Sequence, residues 1–168
     1  GWGPGEIAGL TTDAAGLVWA LVRHRGPAHD DSDPDDALWK RGASGGWTRV
    51  HTGLTTGSGH LAIAPDGTAY VSEEYARRVL AIAPDGTRRI VAGKGAPAAA
   101  QGVVLPGRLL LAPDGALFIA DRSAGRVYRL APGGGALTLV AGVAPGAKAG
   151  DASSLPINSP NGIAFDLQ

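Results

Sequence analysis

A repeated segment restricts the fold of this 168-residue chain more than any other feature. Residues 60–93 occur again, in altered form, as residues 108–142. Both copies contain an apolar run that ends in Ala-Pro-Asp-Gly, a second apolar run, an Arg-Val pair, a Pro-x-Gly turn and a closing Val-Ala-Gly. Short β-branched and aliphatic runs bounded by glycine and proline favour strands over helices, and Pro-Asp-Gly supplies tight turns between strands. The repeat therefore predicts four short strands per unit.

A four-stranded antiparallel unit that repeats at this length is typical of a β-propeller blade. A diverged copy precedes the two clear ones, and the beginning of another follows them. We therefore predict an all-β fold in which residues 1–168 form a single β-propeller segment of about three blades plus one strand. The blades are expected at about 7–52, 60–93 and 108–142, and the first strand of a further blade at 161–166.

Three blades do not close a ring, because propellers have about four to eight of them. Both outer blades would expose unpaired edges, which favours association. Two alternatives remain open. Either two copies of the chain pair as half-rings to complete a propeller of about six blades, or the chain is part of a longer propeller whose remaining blades complete the ring.

The composition excludes several classes of protein. The 15 basic and 15 acidic residues give a net charge of zero, so the chain lacks the positive field that non-specific nucleic-acid binding requires. No apolar run reaches the roughly 18 residues of a transmembrane helix, and residues 1–5 do not resemble a signal peptide. The absence of cysteine excludes disulfides and thiol catalysis. We therefore expect partners other than nucleic acid and membrane.

Polar residues open the innermost strands of successive blades, and such strands surround the central funnel of a propeller. His60, Arg108 and Asn161 occupy equivalent opening positions. An imidazole, a guanidinium and an amide that converge there suit an anion, a carbonyl or a metal ion. With Arg25, which follows the second strand, they are the predicted ligand-binding residues. In the alternative interpretation, His60 and Arg108 are hydrogen-bonded rim residues, and Asn161-Gly162 is a turn.

An acidic loop inside the first unit is a second candidate site. Five aspartates lie within residues 30–36. Their oxygens are hard ligands of the kind that Ca²⁺ prefers, so Asp30, Asp31 and Asp33 are predicted to bind calcium. The loop lacks the glycine and the terminal glutamate of an EF-hand, so a solvated acidic loop is the alternative.

The repeat resembles the NHL family of β-propellers, whose blades combine an Asp-Gly turn, a Tyr-Val-Ala-Asp strand, an Arg-Val strand and a closing Val-Ala-Gly. The matching strands here are Tyr70-Val-Ser-Glu73 and Phe118-Ile-Ala-Asp121. The linker 150–162 is also similar to linkers of bacterial members. This resemblance covers residues 60–166 and implies a propeller in an extracytoplasmic location.

Three shorter stretches resemble propeller enzymes. Pro160-Asn161-Gly162 is similar to the strand in which gluconolactonase-like propellers bind a divalent cation through the asparagine. His60 lies where lyase-type propellers have a functional histidine. His24-Arg25-Gly26 resembles a segment of the peptide-amidating lyase in which the arginine is catalytic. The matched funnel positions of this chain lack the carboxylates that the hydrolases use.

These observations favour a non-enzymatic NHL-like module that binds or scaffolds a peptide, glycan or protein on its top face. The alternative is a metal-assisted lyase or lactone hydrolase that uses the central funnel. A third interpretation is a structural spacer within a longer protein. Fold alone does not distinguish them, because propellers host unrelated activities.

Overall fold

The computed structural model describes residues 5–24, 36–55, 57, 59–142 and 156–166. These residues form three four-stranded antiparallel sheets. In every sheet each strand pairs with the next one along the chain, so each sheet is a simple meander. Within these ranges, no helix is long and apolar enough to cross a membrane.

Each sheet is one blade. The first blade contains β1 (Gly5–Thr12), β2 (Val18–His24), β3 (Asp36–Arg41) and β4 (Trp47–Leu54). The second contains β5 (Leu61–Ile63), β6 (Ala69–Glu73), β7 (Arg78–Ile82) and β8 (Arg88–Gly93). The third contains β9 (Pro106–Leu111), β10 (Leu117–Asp121), β11 (Arg126–Leu130) and β12 (Leu137–Ala141). A 3-10 turn at Ala98–Ala100 interrupts the linker between the second and third blades.

The Ala-Pro-Asp-Gly sequence forms the same turn in both clear repeats. The Asp66 carboxylate accepts the Thr68 backbone N–H at 2.9 Å, and the Asp114 carboxylate accepts the Ala116 N–H at 2.9 Å. The glycine after each aspartate has a positive φ, which is 86° at Gly67. Such a backbone conformation favours glycine, and it turns the chain directly into the next strand.

The hydrophobic core consists of two layers, one on each face of the second blade. The layer against the first blade contains Trp19, Leu21, Leu38, Leu54, Leu61, Ile63, Ala69, Val71, Leu80 and Ile82. The layer against the third blade contains Ala62, Tyr70, Val79, Ala81, Val91, Ala92, Val103, Leu109, Leu117, Ile119, Tyr128 and Leu130. Successive residues of β5 and β6 alternate between the two layers, as the strand period of two requires. Both faces of the second blade are apolar, so its strands appear in the sequence as continuous hydrophobic runs.

The blades stack face to face with their first strands side by side. β1 contacts β5, and β5 contacts β9. This arrangement is a segment of a β-propeller, which confirms the predicted all-β fold of four-stranded antiparallel blades.

The segment 161–166 differs from the predicted strand, because residues 156–166 have no regular secondary structure. A strand needs a neighbour that exchanges backbone hydrogen bonds, and among the described residues this segment pairs with no strand. It lies instead on the third blade, where the rings of Phe165 and Phe118 meet edge to face with centroids 5.1 Å apart. Phe118 alternates with Leu117 and Ile119, so it points away from the second blade.

A steric constraint explains the glycine in the closing Val-Ala-Gly of each repeat. Gly93 and Gly142 follow directly after the alanine in the outermost strands and have φ values of 83° and 101°. A Cβ on Gly93 would collide with the carbonyl oxygen of Arg77, and a Cβ on Gly142 would collide with that of Gly125. The outermost strand therefore approaches the preceding turn more closely than a side chain permits.

We expect Gly93→Ala to destabilise the protein more than Gly86→Ala. Both glycines have a similar φ, 83° and 87°, but a Cβ at Gly86 meets no atom within 4 Å. The control should lose about 1 kcal/mol of unfolding free energy from backbone strain, and Gly93→Ala about 1–3 kcal/mol more from overpacking. Urea denaturation measures the difference. Equal losses in the two variants would contradict the steric explanation.

Candidate functional site

A groove of about 720 Å³ runs along the three innermost strands. Its lining comes from residues 8–14 of the first blade, residues 60–63 and Pro65 of the second, residues 108–113 of the third, and Phe165. The groove forms because the first strands lie side by side while the blades diverge from them. It occupies the place of the central funnel predicted from the sequence.

The structure brings two of the predicted site residues together. His60 directly precedes β5, Arg108 lies in β9, and both line the groove. Asn161 is exposed and does not belong to the lining, because its segment is not paired as an innermost strand. Phe165 of the same segment reaches the groove instead. The other predicted residues, Arg25, Asp30, Asp31 and Asp33, lie outside the described residues.

The backbone of His60 is fixed by the buried Ser72 at the end of β6. The His60 N–H donates to the Ser72 Oγ at 2.8 Å, and the Ser72 N–H donates to the His60 carbonyl oxygen at 2.9 Å. Ser72 itself is fully buried. The second blade therefore sets the place at which the imidazole enters the groove.

His60 is mainly neutral near pH 7. Burial lowers its pKa, the positive charges of Arg108 and Arg122 lower it further, and the Glu74 carboxylate acts in the opposite direction. A neutral imidazole offers one donor and one acceptor, whereas Arg108 offers a fixed positive charge. This part of the groove can therefore hold a polar group through His60 and an anionic group through Arg108.

An ion pair joins the second and third blades beside His60. The Nη1 of Arg122 lies 2.9 Å from the Oε1 of Glu74, which is only 8% exposed. A Cβ on Gly107 would lie 2.8 Å from the Cδ of Arg122, so the glycine leaves room for the arginine stem. The sequence patterns described above do not single out this pair. The sequence feature from which this ion pair could be predicted is that Glu74 and Arg122 occupy equivalent positions in successive repeats and carry opposite charges.

Two further buried carboxylates hold the chain together. Glu73 accepts the Thr55 N–H at 2.8 Å and the Arg78 Nε at 2.5 Å. Asp121, at the equivalent position of the third blade, accepts the Val104 N–H at 2.6 Å. Each carboxylate thus binds the linker that leads into its own blade. The last residue of this repeated strand therefore has a structural role.

Asp13 lines the groove, but its carboxylate is engaged by the first blade. It accepts the Leu17 N–H at 2.9 Å and the Trp19 Nε1–H at 3.0 Å, and it lies 2.9 Å from the Lys40 Nζ. Hydrogen bonds from Trp19 and Lys40 hold the pKa of Asp13 well below its usual range. Among the described residues, no group of three or more acidic or histidine side chains could hold a metal ion. The calcium site at residues 30–33 stays a prediction.

No family model and no curated protein matches the chain. Solved structures do, and they are β-propellers. An auxiliary nutrient-binding protein from Bacteroides thetaiotaomicron has a TM-score of 0.66 and 19% identity, over 95% of this chain and 41% of that one. A nidogen/laminin complex contains a chain with a TM-score of 0.60 and 18% identity, over 80% and 48%.

A catalytically inactive histidine-to-alanine variant of virginiamycin B lyase from Staphylococcus aureus also resembles the chain. Its TM-score is 0.56 at 17% identity, over 80% of this chain and 41% of that one. At such identities the likeness shows the fold alone. The chain thus has a β-propeller fold and spans less than half the length of these three solved chains.

We expect the protein to lose stability as the pH falls below about 6.5. Burial lowers the pKa of both His60 and His51 in the folded chain, so the unfolded chain binds more protons in this range. The melting temperature should therefore be lower at pH 5.5 than at pH 7.5. The His60→Gln and His51→Gln variants should each show a smaller difference between these two pH values. If the melting temperatures of His60→Gln at pH 5.5 and pH 7.5 differ as much as those of the wild type, His60 is not a source of the pH dependence.

Proposed function

We propose that the chain is a non-enzymatic, NHL-like β-propeller module that binds a peptide, glycan or protein partner through the groove along its innermost strands. The observation that carries the proposal is that His60 and Arg108, from two different blades, line the same groove. Its volume of about 720 Å³ falls within the roughly 300–1,000 Å³ of typical ligand pockets.

The lining chemistry supports a ligand that combines an anionic or polar group with apolar parts. Arg108 offers the planar donor set that pairs with a carboxylate, and the neutral His60 hydrogen-bonds a hydroxyl or an amide. Leu10, which is 60% exposed, and Phe165, which is 37% exposed, provide apolar surface in the same groove. An extended peptide that bears a carboxylate combines these features.

The similar solved proteins give general support. One is described as a nutrient-binding protein and another was solved in a nidogen/laminin complex. Binding of small or macromolecular partners is therefore compatible with this fold.

Arg108→Ala and His60→Gln should weaken binding to the groove. A peptide and acidic-glycan array identifies a ligand of the wild-type chain, and calorimetry then measures the affinities. We expect about a tenfold loss or more in Arg108→Ala, because a charged partner is removed, and a smaller loss in His60→Gln. Arg89→Ala is the matched control, because Arg89 binds the Gly133 carbonyl oxygen at 3.0 Å, outside the groove lining. Unchanged affinities in both groove variants would contradict the proposal.

A metal-assisted lyase or lactone hydrolase is the second candidate. The neutral form of His60 is the form in which an imidazole accepts a proton as a general base. The catalytically inactive histidine-to-alanine variant among the solved structures belongs to a lyase. Turnover of a lactone by the wild-type chain, abolished in His60→Ala, would favour this function over simple binding.

We also propose that further blades complete the ring, supplied by a second copy or by the rest of a longer chain. Ile7 and Leu10 pair with Val22 and Ala20 on the face of the first blade that points away from the second. Both are more than half exposed, at 52% and 60%. An apolar blade face of this kind normally packs on another blade.

The 168-residue chain alone should therefore self-associate. Light scattering after gel filtration should give a mass near twice 16.9 kDa that falls at low concentration. Ile7→Glu places a charge on the exposed face and should shift the equilibrium towards monomer, while Glu6→Gln serves as the control. A folded monomer at all concentrations would exclude pairing of two copies and leave the blades of a longer chain as the completing partner.

A further inference from the structure

A second pocket, of about 330 Å³, lies where the second and third blades meet, and its lining is separate from that of the groove. Arg77, from the turn between β6 and β7, forms one side. The linker between β8 and β9 forms the rest through Lys94, Gly95, Gln101, Val103 and Val104. The pocket therefore contains two basic side chains and no acidic one.

The backbone holds the two basic residues next to each other. The Lys94 N–H donates to the Arg77 carbonyl oxygen at 2.9 Å, and the preceding Gly93 packs tightly on the same carbonyl. Both side chains are exposed, and within the described ranges neither forms a hydrogen bond or an ion pair. Two adjacent positive charges therefore stand in one pocket without a described counterion, although the net charge of the whole chain is zero.

Arg77 occupies a backbone conformation that favours glycine. Its φ is 58°, and the equivalent position before the Arg-Val pair of the third blade is Gly125, with a φ of 59°. An L-residue with a side chain destabilises the fold at such a position, so the turn itself gains nothing from arginine. Strained residues of this kind cluster at ligand-binding sites, where the side chain rather than the backbone is needed.

Hydrogen bonds hold the rest of the pocket lining in place. The Gln101 Nε2 donates to the Ala96 carbonyl oxygen at 2.9 Å. The Val104 N–H donates to the buried Asp121 carboxylate at 2.6 Å, which fixes the backbone of Val104. The Val104 side chain is 46% exposed. Val103 is buried beneath. An apolar surface thus lies beside the two cations.

We propose that this pocket binds an organic carboxylate. Arg77 pairs with the two oxygens of the carboxylate, Lys94 adds a second positive charge, and the apolar part of the ligand covers Val104. The same chemistry occurs in the C-terminus of a peptide and in a free aliphatic acid. Inorganic phosphate matches the charges but not the apolar surface.

The test titrates ¹⁵N-labelled protein with N-acetyl-leucine and follows the amide resonances of Lys94, Gly95 and Gln101. We expect saturable shifts with N-acetyl-leucine and none with N-acetyl-leucinamide, which has the same side chain but no charge. Binding of phosphate as tightly as of N-acetyl-leucine would overturn the assignment to an organic acid. Tighter binding of acetyl-Ala-Ala-Leu than of hexanoate identifies a peptide C-terminus, and the reverse identifies a free acid; either result supports the pocket.

Two variants test the basic residues. Arg77→Gly and Lys94→Ala should each weaken N-acetyl-leucine binding about tenfold or more. Arg77→Gly should at the same time raise the melting temperature by about 2–4 °C, because it removes backbone strain, so lost binding cannot result from unfolding. Arg89→Ala is the matched control and should bind normally, because Arg89 binds the Gly133 carbonyl oxygen and does not line the pocket. Wild-type affinity in both pocket variants would overturn the proposal.

Discussion

The packing of the second blade between its two neighbours is the interaction on which the rest of the structure depends. Its strands bury apolar side chains on both faces, so neither core layer exists without it. Because the blades stack face to face, β1, β5 and β9 come side by side, and a groove opens along them. His60 and Arg108 reach this groove from different blades through that stacking. Loss of the core layer between the second and third blades would separate them.

Buried carboxylates determine how the chain passes from one blade to the next. Glu73 and Asp121 bind the backbone of the linkers that enter their own blades, and Glu74 pairs with Arg122 across the boundary between two blades. Buried charges of this kind are stable only when paired or hydrogen-bonded, which these are. These contacts fix the linkers and the boundary between the second and third blades. His60 and Arg108 are the groove residues available to a ligand, while the nearby Glu74 and Arg122 act on the pKa of His60 in opposite directions.

The groove and the pocket beside Arg77 both contain basic side chains, but different structural elements hold these side chains in place. In the groove, a neutral imidazole and a cation come from two blades that meet at the channel. In the pocket, a turn and a linker bring two cations together through the Lys94 to Arg77 backbone hydrogen bond. We propose carboxylates on partly apolar ligands for both sites.

The sequence by itself determined the blades. The repeated Pro-Asp-Gly, Arg-Val and Val-Ala-Gly motifs set the turns and the strand ends through interactions between residues that are close in the chain. The sequence also predicted that His60 and Arg108 lie close together, since equivalent repeat positions align in a propeller, and both line the groove. Only the tertiary structure decided that Asn161 stays outside the groove lining, because a strand at 161–166 requires a pairing partner. It alone revealed the Glu74–Arg122 pair and the position of Lys94 beside Arg77. Those contacts join residues of different blades, turns and linkers, and their distances depend on packing that local sequence does not specify.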